Sequence, residues 1–217
     1  MPSAIVENLL YIQQRIAAAA QRANRDPADI TLVAVSKTLP VEAVREAIST
    51  GLTHFGENRV QEAESKFASI KTTLHLIGHL QSNKARRAAD IFDRIDSVDS
   101  LSLARKLNDA TTKKIGILVE VHQGEATKSG APEAEVPALC AEIANLPNLN
   151  LLGLMAIPPY FEDPELARPY FRKLRNLRDN LRLPILSMGM SHDFEIAIEE
   201  GATEIRIGTA LFGSRNK

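Results

Sequence analysis

The chain has 217 residues and a formal net charge of -1, from 26 basic and 27 acidic side chains. That balance gives no general reason to expect nucleic acid or an anionic membrane as partner, and no apolar run approaches the roughly 20 residues of a membrane span. The single cysteine excludes a disulfide within the chain, so a reducing, cytoplasmic setting is the simplest expectation.

The opening segment MPSAIVENLLYIQQRIAAAAQR has no basic stretch ahead of an apolar core, and Glu7 interrupts its apolar run. It predicts an amphipathic helix over about residues 5–25 rather than a signal peptide. Short β-branched runs and helical patterns then alternate to the end of the chain. TLVAVSK, THFG, LHLIG, IFDRIDSV, KIGILVEV, LNLLGLMA, LPILSMG and TEIRIG predict strands. Between them, PVEAVREAIST, NRVQEAESKFASI, SNKARRAA, SLSLARKLNDA, residues 132–145, PELARPYFRKLRNLRDNL and SHDFEIAIEEG predict helices. Pro40 sits near the start of one, Ser100 is placed to cap another, and Gly201 to close the last. Eight such units favour a single-domain (β/α)8 TIM barrel spanning 1–217 over an open doubly wound sheet. The first βα turn, SKTLP, also lacks a glycine-rich dinucleotide fingerprint.

In such a barrel the chemistry lies at the carboxyl ends of the strands. There the sequence gathers Ser36-Lys37-Thr38, Gly56-Glu57-Asn58, Gly78 to Lys84, His122 with Gly124, Glu125 and Lys128, Met155 to Pro158, Ser187 to Ser191, and Arg206 to Thr209. Lys37 continues the phase of Val33 and Val35. An inward lysine at a barrel rim is costly unless paired or neutralised, and a desolvated one can form an imine with an aldehyde. Taken alone it reads equally as a solvated lysine flanking a strand. SMGMS and IGTA change that balance, because small residues there let main-chain N–H groups approach an anion. A phosphate site near the last two strands also recurs in this barrel. Arg206, between Ile205 and Ile207, is expected to point inward at the mouth, either toward a pyridine nitrogen or into an ion pair. Asn58 and Ser191 are also ordinary helix-cap candidates. His75 and His79 are spaced like helical metal ligands but span a strand and its loop, so no metal is expected. Cys140 reads as a small buried residue, and Lys84, Arg86 and Arg87 as a solvated helix face.

AVSKT, FGENRVQE, HLIGHLQSNK, GLMAIP, LSMGMSHDFE and EIRIGTALFG, in this order, resemble the pyridoxal phosphate homeostasis protein family. The resemblance runs from about Leu32 to Arg215 and implies an alanine racemase-like barrel without the racemase's second domain. It implies pyridoxal 5′-phosphate (PLP) as cofactor, joined to Lys37 as a Schiff base. Ser187, Gly189, Ser191, Gly208 and Thr209 would lie at the phosphate, Arg206 at the ring nitrogen and Asn58 beside the ring. Leu74, Leu76, His122 and His192 depart from what the family often carries. The implied role is PLP homeostasis by a monomer, with PLP-dependent apo-enzymes as recipients. The alternative is an amino-acid racemase, which needs an acid–base group on each face of the reacting carbon. Lys37 serves one face. Racemases with this barrel take the other from a tyrosine of their extra domain. Of Tyr11, Tyr160 and Tyr170 only Tyr160 is expected at the rim, so the non-enzymatic reading is favoured.

Overall fold

The computed structural model describes residues 3–124 and 129–213. Strands β1 (Thr31–Val35), β2 (His54–Glu57), β3 (Thr73–Leu76), β4 (Arg94–Val98), β5 (Ile115–Glu120), β6 (Leu149–Met155), β7 (Ile185–Met190) and β8 (Glu204–Ile207) close in chain order into one barrel. Every neighbouring pair is parallel, including β8 back to β1. Parallel strands covered by helices on the outside explain the near-continuous apolar runs of the sequence.

The helices are α1 (Ala4–Arg22), α2 (Val41–Ser49), α3 (Val60–Phe67), α4 (Ala85–Ile91), α5 (Leu101–Ala110), α6 (Val136–Ile143), α7 (Arg168–Asn180), α8 (Phe194–Glu199) and α9 (Thr209–Phe212). Several are shorter than their sequence patterns. α1 stops at Arg22 because Asn24 adopts φ +53°, a left-handed conformation that ends a helix. The patterns expected to open α4, α6 and α7 begin instead with a 3-10 turn at Ser82–Lys84, Glu133–Glu135 and Pro164–Ala167. For α6 and α7, a proline in the first turn sets where the regular helix can begin.

α1 precedes the barrel units and lies on α8 and α9, burying Ile5, Leu9, Ile12, Ile16, Ala19 and Ala20. Arg15 donates to Glu195 at 2.9 Å, and Asn8 Nδ2 to the Leu211 carbonyl at 2.9 Å. It thereby braces the β7–β8 side of the barrel from behind.

Ions line part of the interior. Arg94 donates from Nε to Asp96 Oδ1 (2.6 Å) and from Nη2 to Asp96 Oδ2 (2.9 Å), and it also donates to Glu204. His75 Nδ1 lies 3.3 Å from Asp96 Oδ2, and His54 Nδ1 3.0 Å from His75 Nε2. His75, Asp96 and Glu204 are the one group of possible metal ligands among the described residues. The Arg94 guanidinium already supplies a cation to both carboxylates. Burial works against the Asp96 carboxylate, but Arg94 and His75 hold it down to about 2.

That value lies below the roughly 3.9 of an unfolded aspartate. The stabilisation is therefore complete above about pH 4 and is lost as pH falls toward 2. We expect urea unfolding to show ~2 kcal/mol lost over that interval. Asp96→Asn should be less stable at neutral pH and lose less on acidification.

Candidate functional site at the carboxyl rim of the barrel

Lys37 follows β1 in a turn and is half-buried. Its neighbours are fixed by hydrogen bonds. Ser36 N–H donates to the Gly56 carbonyl at 3.1 Å and Ser36 Oγ to Glu57 Oε1 at 2.7 Å. Lys66 Nζ donates to the Ser36 carbonyl (2.7 Å), to Glu57 Oε1 (2.8 Å) and to Glu62 Oε1 (2.8 Å), and Thr38 N–H donates to Glu62. Thr38 takes φ +64°, unfavourable for a β-branched residue. Burial pushes the Glu57 carboxyl up, against the pull of Lys66 and Ser36.

On one side of β1 lies β2, whose end carries Asn58. Asn58 does not cap α3, because Arg59 occupies the cap position and no side chain bonds there. Its Oδ1 is buried without a hydrogen-bond partner. Gly78, at the end of β3, is needed here: a Cβ would stand 2.5 Å from the Asn58 carbonyl oxygen and 2.7 Å from its Cα. Asn58 also lines a cavity of about 710 Å³ at this rim, shared with Arg59, Gln61, His79, Gln81 and Lys84.

On the other side lies β8, paired with β1 so that Val33 stands opposite Arg206. Arg206 is buried. Its Nη1 donates to Ser187 Oγ at 2.7 Å and its Nη2 to the Ala156 carbonyl at 3.0 Å. Both acceptors are neutral, and no ion pair within contact distance holds it among the described residues. Burial lowers its affinity for the proton, while the more distant Glu204, Asp96, Asp193 and Glu120 carboxylates oppose that. Ser187 is thus tied to Arg206 inside the barrel.

After Ser187 the β7–β8 register shifts: Ser187 pairs with Glu204 and Met190 with Arg206. Such an irregularity re-aims the end of a strand. Gly189 sits in it with φ +91°, and a Cβ there would lie 2.5 Å from the Ala197 Cβ and 3.0 Å from the Phe194 Cα. Ser191 does not cap α8. Its Oγ accepts from Ala210 N–H at 3.2 Å, in the first turn of α9, so it joins the β7 loop to Gly208 and Thr209. The Met190 N–H is taken by Asp193 Oδ1 at 2.7 Å. Thr209 opens α9, where a first-turn N–H has no partner within the helix.

The structure therefore places Lys37, Asn58, Ser187, Gly189, Ser191, Arg206, Gly208 and Thr209 on the neighbouring ends of β1, β2, β7 and β8. Gly208 has φ -111° and room for a Cβ, so neither strain nor crowding demands glycine there. His79 lies exposed, 3.5 Å from Asp99. Cys140 is buried, which pushes its thiol up to about 11. His192 Nε2 lies 3.0 Å from the Phe161 carbonyl oxygen and stacks near the exposed Tyr160. His122 N–H donates to the Ala131 carbonyl, while Glu125 and Lys128 lie outside the described residues.

Of two further carboxylates at this rim, Glu57 was among the residues the sequence gathers at the strand ends, with no role assigned, and Glu120 escaped the sequence reading. Glu57 ends β2, and Glu120 ends β5, across the barrel from β1. Glu120 Oε1 accepts from Ser129 Oγ at 2.8 Å, and burial pushes its carboxyl up. Oε2 of each residue is buried without a partner. A charged residue closing an otherwise apolar strand was the available signal.

A closed parallel barrel whose rim carries a lysine, an interior arginine and two small-residue loops defines a cofactor-binding barrel of the alanine racemase type. Residues 8–216 match the family model "Alanine racemase, N-terminal domain". The chain is similar to the pyridoxal phosphate homeostasis protein of Pseudomonas aeruginosa, 47% identical over 99% of this chain and 97% of that one. It is also similar to that of Escherichia coli K12, 43% identical over 98% and 97%. The structure of PipY from Synechococcus elongatus PCC7942, with PLP bound, is 39% identical, with a TM-score of 0.82 over 93% of this chain and all of that one. Alanine racemase of Clostridium difficile 630 shares the fold at 16% identity, TM-score 0.77, over 97% of this chain and 58% of that one. The chain belongs to the pyridoxal phosphate homeostasis protein family.

Gly189→Ala combines a forbidden φ with a collision against α8. It should cost about 2 kcal/mol or more, read as a lower urea midpoint.

Proposed function

We propose that this chain holds pyridoxal 5′-phosphate at the β1, β2, β7 and β8 rim, with Lys37 as covalent anchor, and serves intracellular PLP homeostasis as a reversible carrier. The observation that carries this reading is Arg206, a buried guanidinium held in the barrel by the neutral oxygens of Ser187 and Ala156. PLP supplies, when bound, an aldehyde that condenses with a primary amine and a pyridine ring that withdraws electrons from the attached group.

The residues fit that group. Arg206 would face the ring nitrogen and keep it unprotonated, because a cation there disfavours a second one. The buried, unpartnered Asn58 Oδ1 would accept a hydrogen bond beside the ring. The left-handed turn at Gly189, the Ser191 tie to Ala210, and the Gly208–Thr209 step would receive the phosphate. Ser187, which accepts from Arg206, would turn its own O–H the same way. The Ser36 and Thr38 bonds hold the Lys37 turn at the rim.

A carrier rather than a racemase fits the means of proton transfer on hand. Tyr11 is on α1 and Tyr170 within α7. Tyr160 is largely exposed beside His192. PLP-dependent apo-enzymes are the recipients we propose, with the chain acting as a cytoplasmic monomer. Among the described residues no helix is long and apolar enough to cross a membrane.

Arg206→Gln should change the visible absorbance of the PLP-loaded protein or its response to pH. A spectrum and titration identical to the unaltered protein would remove the ring-nitrogen role. Incubating the loaded protein with L-alanine should yield no D-alanine above that from free PLP, measured by chiral chromatography. Clear turnover would restore the racemase.

A further inference from the structure

We infer that Lys66 is a positioning residue for Lys37, acting through the two peptide bonds that flank it. The inference rests on Lys37 being the cofactor anchor and assigns the chain's control of that anchor to the Lys66–Glu57–Glu62 cluster.

The geometry is specific. Lys66 lies at the end of α3, yet it is 8% exposed, rare for a lysine. Its ammonium has three N–H donors, and three acceptors stand within 2.8 Å. One of these is the Ser36 carbonyl, part of the peptide bond entering Lys37. The second is Glu57 Oε1, which also accepts from the Ser36 hydroxyl. The third is Glu62 Oε1, which also takes the Thr38 N–H, part of the peptide bond leaving Lys37. The main chain on each side of Lys37 is thus fixed to one ammonium, by its oxygen before the residue and through Glu62 after it.

The turn needs such a hold. Thr38 occupies the left-handed region at φ +64°, and strained residues of this kind persist only where their surroundings over-determine them. Two structural alternatives explain less. A helix-surface ion pair between Glu62 and Lys66, four residues apart, would need no buried contact with Ser36. A core ion pair between Glu57 and Lys66 would need no link to Thr38. Removing Lys66 leaves the Ser36 carbonyl and Glu57 without their shared donor and frees Glu62 to swing to solvent. Lys37 would keep its place in the chain but lose its fixed aim, and misplacement of a reacting group by about 1 Å can cost on the order of 100-fold in rate.

The test separates aim from folding. Apo-protein carrying Lys66→Met is mixed with PLP, and covalent linkage is followed by visible absorbance and by borohydride trapping. Binding of pyridoxine 5′-phosphate, which has no aldehyde, is measured in parallel. We expect linkage to slow by about 10- to 100-fold while pyridoxine 5′-phosphate affinity stays as it was, with partial rescue in Lys66→Arg. Glu62→Ala, at a less buried position, should slow linkage in the same direction if Lys66→Met does not fold. An unchanged linkage rate overturns the inference. So does an equal fall in linkage and in pyridoxine 5′-phosphate binding, which is what general loosening would give. Lys37→Ala is the control for the underlying reading: if that variant is trapped as fully as the unaltered protein, the anchor assignment fails, whatever Lys66 does.

Discussion

A guanidinium sealed inside a barrel must be solvated by the protein itself, and the rim of this barrel is arranged around that need. Arg206 is met by a hydroxyl and a carbonyl rather than by a carboxylate. Its charge is therefore solvated by neutral acceptors and not paired with a contacting carboxylate among the described residues. The same strand, two residues earlier, carries Glu204, whose charge is consumed by Arg94 at the other end of the barrel interior. The alternation of a strand thus keeps one charge paired and leaves the other addressed to the mouth.

Two buried ionic groups support this arrangement in different ways. Arg94, Asp96, Glu204 and His75 tie β3, β4 and β8 together across the interior. Lys66, Glu57 and Glu62 tie β2 and α3 to the turn after β1. Breaking a buried pair is far more costly than its net contribution suggests, because a charge is left behind. Such groups therefore make the geometry around Lys37 and Arg206 hard to deform. Each group still leaves one buried carboxylate oxygen without a partner, Oε1 of Glu204 in the first and Oε2 of Glu57 in the second.

Much of the architecture was legible in the chain. Eight β-branched runs alternating with helical patterns suffice, because parallel strands are apolar on both faces and need little context. The rim residues were legible for a related reason: polar and small residues such as Lys37, Ser187 and Gly208 fall where such strands end. What escaped depends on contacts between segments distant in sequence. Ser191 had every mark of a cap for the helix just after it, yet its hydroxyl serves Ala210, because the β7 irregularity turns the loop toward α9. The role of Lys66 was not legible, since nothing within α3 reports that Ser36 lies behind it. His75 gave a metal-like spacing with His79, but its partners are Asp96 and His54 on the neighbouring strands.

The most direct measurement of the central claim is peptide mapping of the PLP-loaded protein after borohydride reduction has made the cofactor linkage permanent. The account predicts the reduced cofactor on Lys37, in stoichiometric amount, within the peptide that contains Ser36 and Thr38. Label on another lysine, such as Lys84 or Lys66, or a cofactor lost quantitatively after reduction, would contradict it.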